Sequence, residues 1–268
     1  MQLSPQRLLA ESATVGVVLG IDTGGPIGSV GVVADGRLAA AATRSSVSHG
    51  LALPAAVEEV LESAGASLND LAAIAVAIGP GSFTGLRVGL SYAKGIAAAR
   101  KISIAGVSSL DALALCAGSG LAEGASIYPV IDARKGEVYT GLYRFVAGAL
   151  EKNSSDLVVP LTHFVAGLAD EAVLVGYSVA EQACMLARAS GRRVVLIENG
   201  GLNLRGSFVA AIGGAKVARK EADVVDTLEP IYLRAPDSAT AFNRLQPGEV
   251  IDGTPRGRTY PATPRSGR

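Results

Sequence analysis

The feature that most limits how this chain can fold is a repeat of itself. Residues 131–143, IDARKGEVYTGLY, lie over residues 21–33, IDTGGPIGSVGVV, at an offset of 110 positions: Ile-Asp leads in both, a turn follows, and Gly141 stands where Gly31 does. Strand, Ile-Asp, turn and strand recurring half a chain apart predict a duplicated supersecondary unit, and each copy must find its own layer to bury against.

The order of elements fills in what that unit is. Val15 to Ile21, Ser29 to Ala34 and Arg37 to Thr43 read as three strands joined by short turns. In SHGLALPAAVEEVLESAG, Leu51, Val57, Val60, Leu61 and Ala64 share one helical face, with Glu58, Glu59 and Glu62 largely opposite. Pro54 suits a first turn, so regular helix is expected to begin close to it. Leu71 to Ile78 is an apolar strand, Gly85 to Ala99 a helix and Ile102 to Val107 a strand. This βββαβαβ order, a meander extended by strands reached through helical crossovers, predicts a ribonuclease-H-like half-domain, and alternating helix and strand continue to Arg219. With 49% hydrophobic residues but only 4% aromatic and no Trp, the core must be Ala, Val, Leu and Ile packed between layers, which fits an α/β protein of two such lobes.

Charge and cysteine content narrow the functions. Lys plus Arg number 24 and Asp plus Glu 24, so the chain lacks the basic surplus of a protein that grips nucleic acid alone. Any role on RNA would pass through a partner. Cys116 and Cys184 are too few and too far apart for a disulfide framework or a CxxC metal site, and read as small buried hydrophobes in a reducing cytoplasm. The opening MQLSPQRLLAESATVG has a three-residue apolar run, Leu8 to Ala10, and the later run VGVVLGI is stopped by Asp22. Neither a signal peptide nor a membrane span is expected. Residues 235–268 are rich in Pro, Gly and Arg and are read as a tail with too little apolar surface to order itself; from Gly253 onward Arg256, Arg258, Arg265 and Arg268 occur without an acid.

The glycine-rich stretch IGPGSFTGLRVGLSYAKG raises the question of a phosphate cradle. Gly79, Gly81 and Gly85 do not give the GxxxxGK spacing of a P-loop, and Lys94 would lie roughly 14 Å beyond Gly85 at about 1.5 Å per residue. The turn is GxGxxxG rather than GxGxxG, and its candidate acid, Asp111, stands past a further strand, which also weakens a dinucleotide site. Ser82 or Thr84 is expected to cap the helix. Gly85, Gly89, Ala93 and Ala97 recur every fourth residue, and Gly89 and Gly95 each cost about 1 kcal/mol relative to Ala in a helix. Close approach by another backbone would offset that, either from the protein's own sheet or from a second chain. Asp22, at a strand end beside a Gly-rich turn, is a weak candidate for orienting a metal-bound phosphate; Asp132 reads as a turn former, because Arg134, Lys135 and Glu137 crowd its loop. His49 and His163 have no second ligand at helical spacing, so no metal site is expected.

IDTGGPIGSVGVV, SHGLALPAAVEEVL, IGPGSFTGLRVGLSYAKGIA, VIDARKGEVYTGLY and EPIYLR, in that order over residues 16–234, resemble the TsaB family. These are the dimerization subunits of the bacterial machinery that makes threonylcarbamoyladenosine in tRNA beside the anticodon. The resemblance implies two ribonuclease-H-like lobes of the actin-like ATPase and sugar-kinase superfold. The lobes would span residues 15–107 and 108–234, after an N-terminal extension (1–14) and before the tail (235–268). It implies a chain with no catalytic residue and no cofactor of its own, a catalytic TsaD-like paralogue as partner, a TsaE-like ATPase joining them, tRNA met only through the complex, and a homodimer as the alternative state of the isolated chain. Two metal-binding histidines of the TsaD-like paralogue fall here at Ser109 and Leu113. The family's dimer face maps onto His49, Leu53 and Val57 in one helix and Gly85, Gly89, Ala93 and Ala97 in the next, which turns the small-residue stripe toward a second chain. DTGGPIG departs from the family, whose members more often carry Ser or Thr after Asp-Thr. The alternative reading is an independent small-molecule kinase or ATPase on the same superfold.

Overall fold

A computed structural model describes residues 2–45, 49–118, 121–198 and 200–233, with side chains for all of these except 45, 49–51, 200 and 201. The tail at 235–268 lies outside the described residues. The elements are β1 (Gln2–Leu3), α1 (Pro5–Ala13), β2 (Val17–Asp22), β3 (Ile27–Ala34), β4 (Arg37–Ser45), α2 (His49–Ser63), β5 (Leu71–Gly79), α3 (Phe83–Arg100) and β6 (Ser103–Ser108). They continue with α4 (Ser109–Leu115), β7 (Ser126–Arg134), β8 (Glu137–Thr140), β9 (Tyr143–Val146), β10 (Ala149–Lys152) and β11 (Leu157–Pro160). The last are α5 (Leu161–Ala166), β12 (Glu171–Gly176), α6 (Ser178–Ala189), β13 (Arg193–Ile197) and α7 (Arg205–Ala218).

The first sheet runs β4-β3-β2-β5-β6, with the β2–β3–β4 meander antiparallel and β2, β5 and β6 parallel. The second repeats this plan. β7 is its central strand, parallel to β12 and through it to β13, and antiparallel to β8 and β9. β8 and β9 together occupy the place that β3 holds in the first sheet, and β10 and β11 that of β4. The strand expected after the turn of the 131–143 repeat is thus interrupted at Gly141 and Leu142, where the Leu142 N–H donates to Ser154 Oγ (2.8 Å) and its carbonyl accepts from Asn153 N (2.8 Å). The duplication read from Ile21-Asp22 and Ile131-Asp132 is a duplication of structure, and the fold is a pair of ribonuclease-H-like lobes.

Each sheet is covered on both faces. One side of the first carries α2 and α3 over Leu19, Ile21, Val30, Val32, Ile74 and Val76. The outer side of the second carries α5 and α6, with Phe164 and Ala183 against Tyr128, Val130 and Leu174. Between the lobes lie α4 and α7, and α7 is buried on every side from Arg205 to Ala215, as a helix sandwiched between layers must be. Although it follows the second sheet in sequence, it rests on the first. Cys116 and Cys184 are free and buried, and burial first of all pushes the Cys116 thiol up to about 12. α2 opens at His49, so Pro54 sits inside the helix on its exposed side rather than at its start, costing one backbone hydrogen bond. No described helix is long and apolar enough to cross a membrane.

The contact of α7 with the first sheet is backbone against backbone. A Cβ at Gly20 would stand 2.0 Å from Gly206 O, one at Gly31 2.4 Å from Ser207 N, and one at Gly206 2.6 Å from Val30 C. Such overlap can be relieved only by moving the helix off the sheet. Gly31→Ala is therefore expected to cost about 1–3 kcal/mol by overpacking, read as a lowered midpoint in urea denaturation, whereas Gly95→Ala, with open space around it and ordinary helical backbone, should not lower the midpoint.

Candidate functional site

Two places in this fold can carry function: the crevice between the lobes, where the Asp-led turns lie, and the outward surface of α2 and α3. In the crevice β2 ends at Asp22, whose Oδ1 accepts the Gly24 N–H at 2.9 Å. Its Oδ2 lies 3.0 Å from Nε of Arg205, the first residue of α7, and both side chains are only 4% exposed. The Nε–H is not aligned on the carboxylate, so the contact is one of charge rather than a well-formed hydrogen bond. A guanidinium nitrogen of Arg205 also donates to the Ile27 carbonyl, and its plane lies over the Tyr177 ring with 5.0 Å to the centroid. Gly25 leaves the room: a Cβ there would stand 3.1 Å from Nη1. Burial works against the cation, but Asp22 and then Tyr177 more than offset it and hold the Arg205 pKa above its ordinary value.

Asp22, the weak phosphate candidate, is thus the counter-ion of a buried arginine. Asp132 makes the matching turn in the second lobe, accepting the Arg134 N–H at 2.7 Å, but its carboxylate is partly exposed and pairs with Arg134 at 3.2 Å. Arg134, Lys135 and Gly136 all have positive φ there, so this loop is a tight hairpin turn. Arg205 was not singled out in the sequence; its signal is one cation among small residues in LRGSFVAAIGGA.

Asp111 is likewise engaged. Its Oδ1 accepts from Tyr143 OH (2.6 Å) and Lys152 Nζ (2.9 Å), while Lys152 also contacts Asp156 at 2.6 Å. Burial is the main cause raising the Asp156 pKa. Ser109 and Leu113, at the positions matching the paralogue's histidines, are buried in α4, Leu113 within the core. His163 lies in α5, and no group of three or more His, Cys, Asp or Glu among the described residues is placed to hold a metal ion. Lys94 donates to the Asp226 carbonyl at 3.3 Å, away from the glycine turn.

On α3 the structure corrects the expected partner contacts. Ser82 caps the helix, accepting from Gly85 N, and the Gly85–Ala97 stripe faces inward. A Cβ at Gly85 would stand 2.0 Å from Thr23 O and one at Gly89 2.3 Å from Thr23 Oγ1; Ala93 and Ala97 are buried against the first sheet. On α2, Leu53 and Val57 are buried in the same core, and the His49 side chain lies outside those described. The small residues let α3 lie against β2 and its turn, with Thr23 Oγ1 donating to Gly85 O at 2.7 Å. They are spent within the chain.

The opposite side of α3 is open. Phe83, Thr84, Arg87, Ser91, Gly95 and Ala98 are exposed, and a Cβ at Gly95 would meet nothing within 4 Å. Intrachain packing offsets the cost of Gly89 but leaves that of Gly95 without an offset. Along this side runs a shallow groove of about 470 Å³, bordered by Leu53, Phe83, Thr84, Arg87, Val88, Ser91 and Tyr92. Phe83 at its end is 53% exposed, which is unusual for so large an apolar side chain.

Comparison with known proteins agrees with the fold and sharpens the identity. Residues 43–198 match the family model described as TsaD, tRNA N6-adenosine threonylcarbamoyltransferase. The tRNA threonylcarbamoyladenosine biosynthesis protein TsaB of Bacillus subtilis is 33% identical over 201 residues, 74% of this chain and 85% of that protein. TsaB of Escherichia coli is 36% identical over 128 residues, 47% of this chain and 54% of that protein. The solved structure of YeaZ from Pseudomonas aeruginosa superposes with a TM-score of 0.67 at 26% identity, over 81% of this chain and all of that one. With the duplicated lobes, the GPGSFTGLRVGL helix and a relative matched along most of its length, the chain belongs to the TsaB family.

Proposed function

We propose that this chain is the non-catalytic scaffold of the complex that makes threonylcarbamoyladenosine in tRNA, binding a TsaD-like catalytic paralogue through the outward side of α2 and α3. The observation that carries the reading is that side itself, where a helical glycine with open space around it and a half-exposed phenylalanine lie along a groove. A TsaE-like ATPase joins the pair, tRNA is met through the complex, and the assembly works in the cytoplasm. In isolation the same side pairs two copies.

Support for a non-catalytic role comes from the crevice. An independent kinase or ATPase would need Asp22 turned to a metal-bound phosphate, and its carboxylate is already held by Arg205 and Gly24. Freeing it would strand a buried cation, the costly way to break such a pair. Arg205→Met is expected to destabilise the chain by about 3–5 kcal/mol, and the double variant Arg205→Met with Asp22→Leu by clearly less; a double-variant loss equal to the sum of the Arg205→Met and Asp22→Leu losses in guanidinium melts would show that the pair is not coupled. Calorimetry of the unaltered chain with ATP and magnesium should give no binding heat, and tight binding with turnover would overturn the scaffold reading.

The docking side has a sharper test at Gly95. Gly95→Ala should stabilise the isolated chain by up to about 1 kcal/mol, because there is room for the methyl group. Gly95→Arg should leave the fold intact by circular dichroism and abolish co-purification with the TsaD-like subunit. Full partner binding by that variant would show that α3 is not the contact.

A further inference from the structure

The motif EPIYLR stands apart from both lobes in sequence, yet the chain returns its Ile231 and Tyr232 to the first turn of α3. Ile231 N–H donates to Ile78 O at 2.7 Å. Gly79 is needed there twice over, having φ +114 and a position from which a Cβ would stand 2.8 Å from Ile231 O. The next residue, Tyr232, lies over Phe83 with ring centroids 5.3 Å apart and planes inclined by 31°. Arg87 completes the group. Its guanidinium carbon is 4.0 Å from the centre of the Phe83 ring, and its Nε donates to Tyr232 OH at 3.1 Å.

Nothing in the fold requires this clasp to face outward, but it does. Tyr232 is 44% exposed and Ile231 39%, beside Phe83 at the end of the α3 groove. Arg87 makes no ion pair among the described residues, nor do Arg37, Arg100, Arg144 and Arg188, but of these Arg87 is the one stacked on an aromatic ring. An arginine stacked on one ring and steered by a phenol is pre-organised, with terminal nitrogens that can donate to a carboxylate in a two-pronged contact. Aromatic residues and arginine are also the side chains that dominate binding energy where protein surfaces meet.

We propose that Ile231 and Tyr232 form, with Phe83 and Arg87, a second part of the docking face, which receives an apolar surface bearing an aspartate or glutamate on the catalytic paralogue. This rests on the docking reading above and adds to it a strap from the far end of the chain, together with the charge its partner must carry. The strap fixes the turn before α3, and the partner closes over both.

The test is calorimetric titration of purified TsaD-like subunit from the same organism into the full chain and its variants. Arg87→Glu should weaken binding about a hundredfold and Tyr232→Ala about tenfold, as loss of central aromatic and arginine contacts does elsewhere. Tyr232→Phe, which keeps the stack and loses the hydroxyl, should fall between Tyr232→Ala and the unaltered chain. Melting temperatures report whether any loss is due to unfolding. If Tyr232→Ala fails to fold, Arg87→Glu on the exposed helix surface decides the matter. Unchanged affinity in Arg87→Glu while Gly95→Arg abolishes binding would overturn the clasp and leave the docking reading standing. Unchanged affinity in both would overturn the two together. A loss confined to self-association of the isolated chain would make the occupant a second copy, and the proposal would fail.

Discussion

Everything in this molecule is arranged around one contact, that of α7 lying with its backbone on the first sheet. Gly20 and Gly31 remove the side chains from the sheet where the helix crosses, and Gly206 removes one from the helix. The helix belongs to the second half of the sequence, so its seating fixes where the second lobe stands against the first. It also delivers Arg205 to the end of β2. A cation carried at the first residue of that helix can then neutralise Asp22 only if the whole helix is in place, and the crevice chemistry follows from the packing.

Duplication gave the two lobes the same hairpin and let them diverge in what the leading aspartate does. Both Asp22 and Asp132 accept a main-chain N–H two residues on. That shared hydrogen bond is a property of the turn. Burial then separates them: one faces a helix that brings a guanidinium, the other stands in solvent beside the arginine of its own loop. A motif position retained in both halves therefore says more about chain reversal than about catalysis.

Much of this was legible in the sequence, and the failures have a physical pattern. Strands and helices were visible because apolar runs and 3.6-residue periodicity are local, and the repeat revealed the sheet order because equivalent halves must pair alike. The small-residue stripe of α3 was visible too, but not its direction, since a helix carries no record of which side its sheet will take. Gly85 and Gly89 looked like a surface for a stranger and proved to be the surface for Thr23. Gly95, which no stripe included, was the informative glycine. Arg205 and Tyr232 were hidden for a related reason: each acts on residues far off in sequence, Asp22 and Phe83, and long-range pairing leaves no local period.

The first strand has a consequence for how the protein is made. β1 pairs with β10, where Gln2 donates a side-chain hydrogen bond to Glu151 across 149 positions, and α1 follows by packing beside α7. On a ribosome β1 and α1 would thus emerge long before the strand and helix they dock on. The first lobe can gather its own five strands, but its covering helix comes last of all the described helices. A nascent chain must therefore hold a finished sheet with one apolar face open until α7 has been made, which is the interval in which such a surface is most exposed to wrong partners.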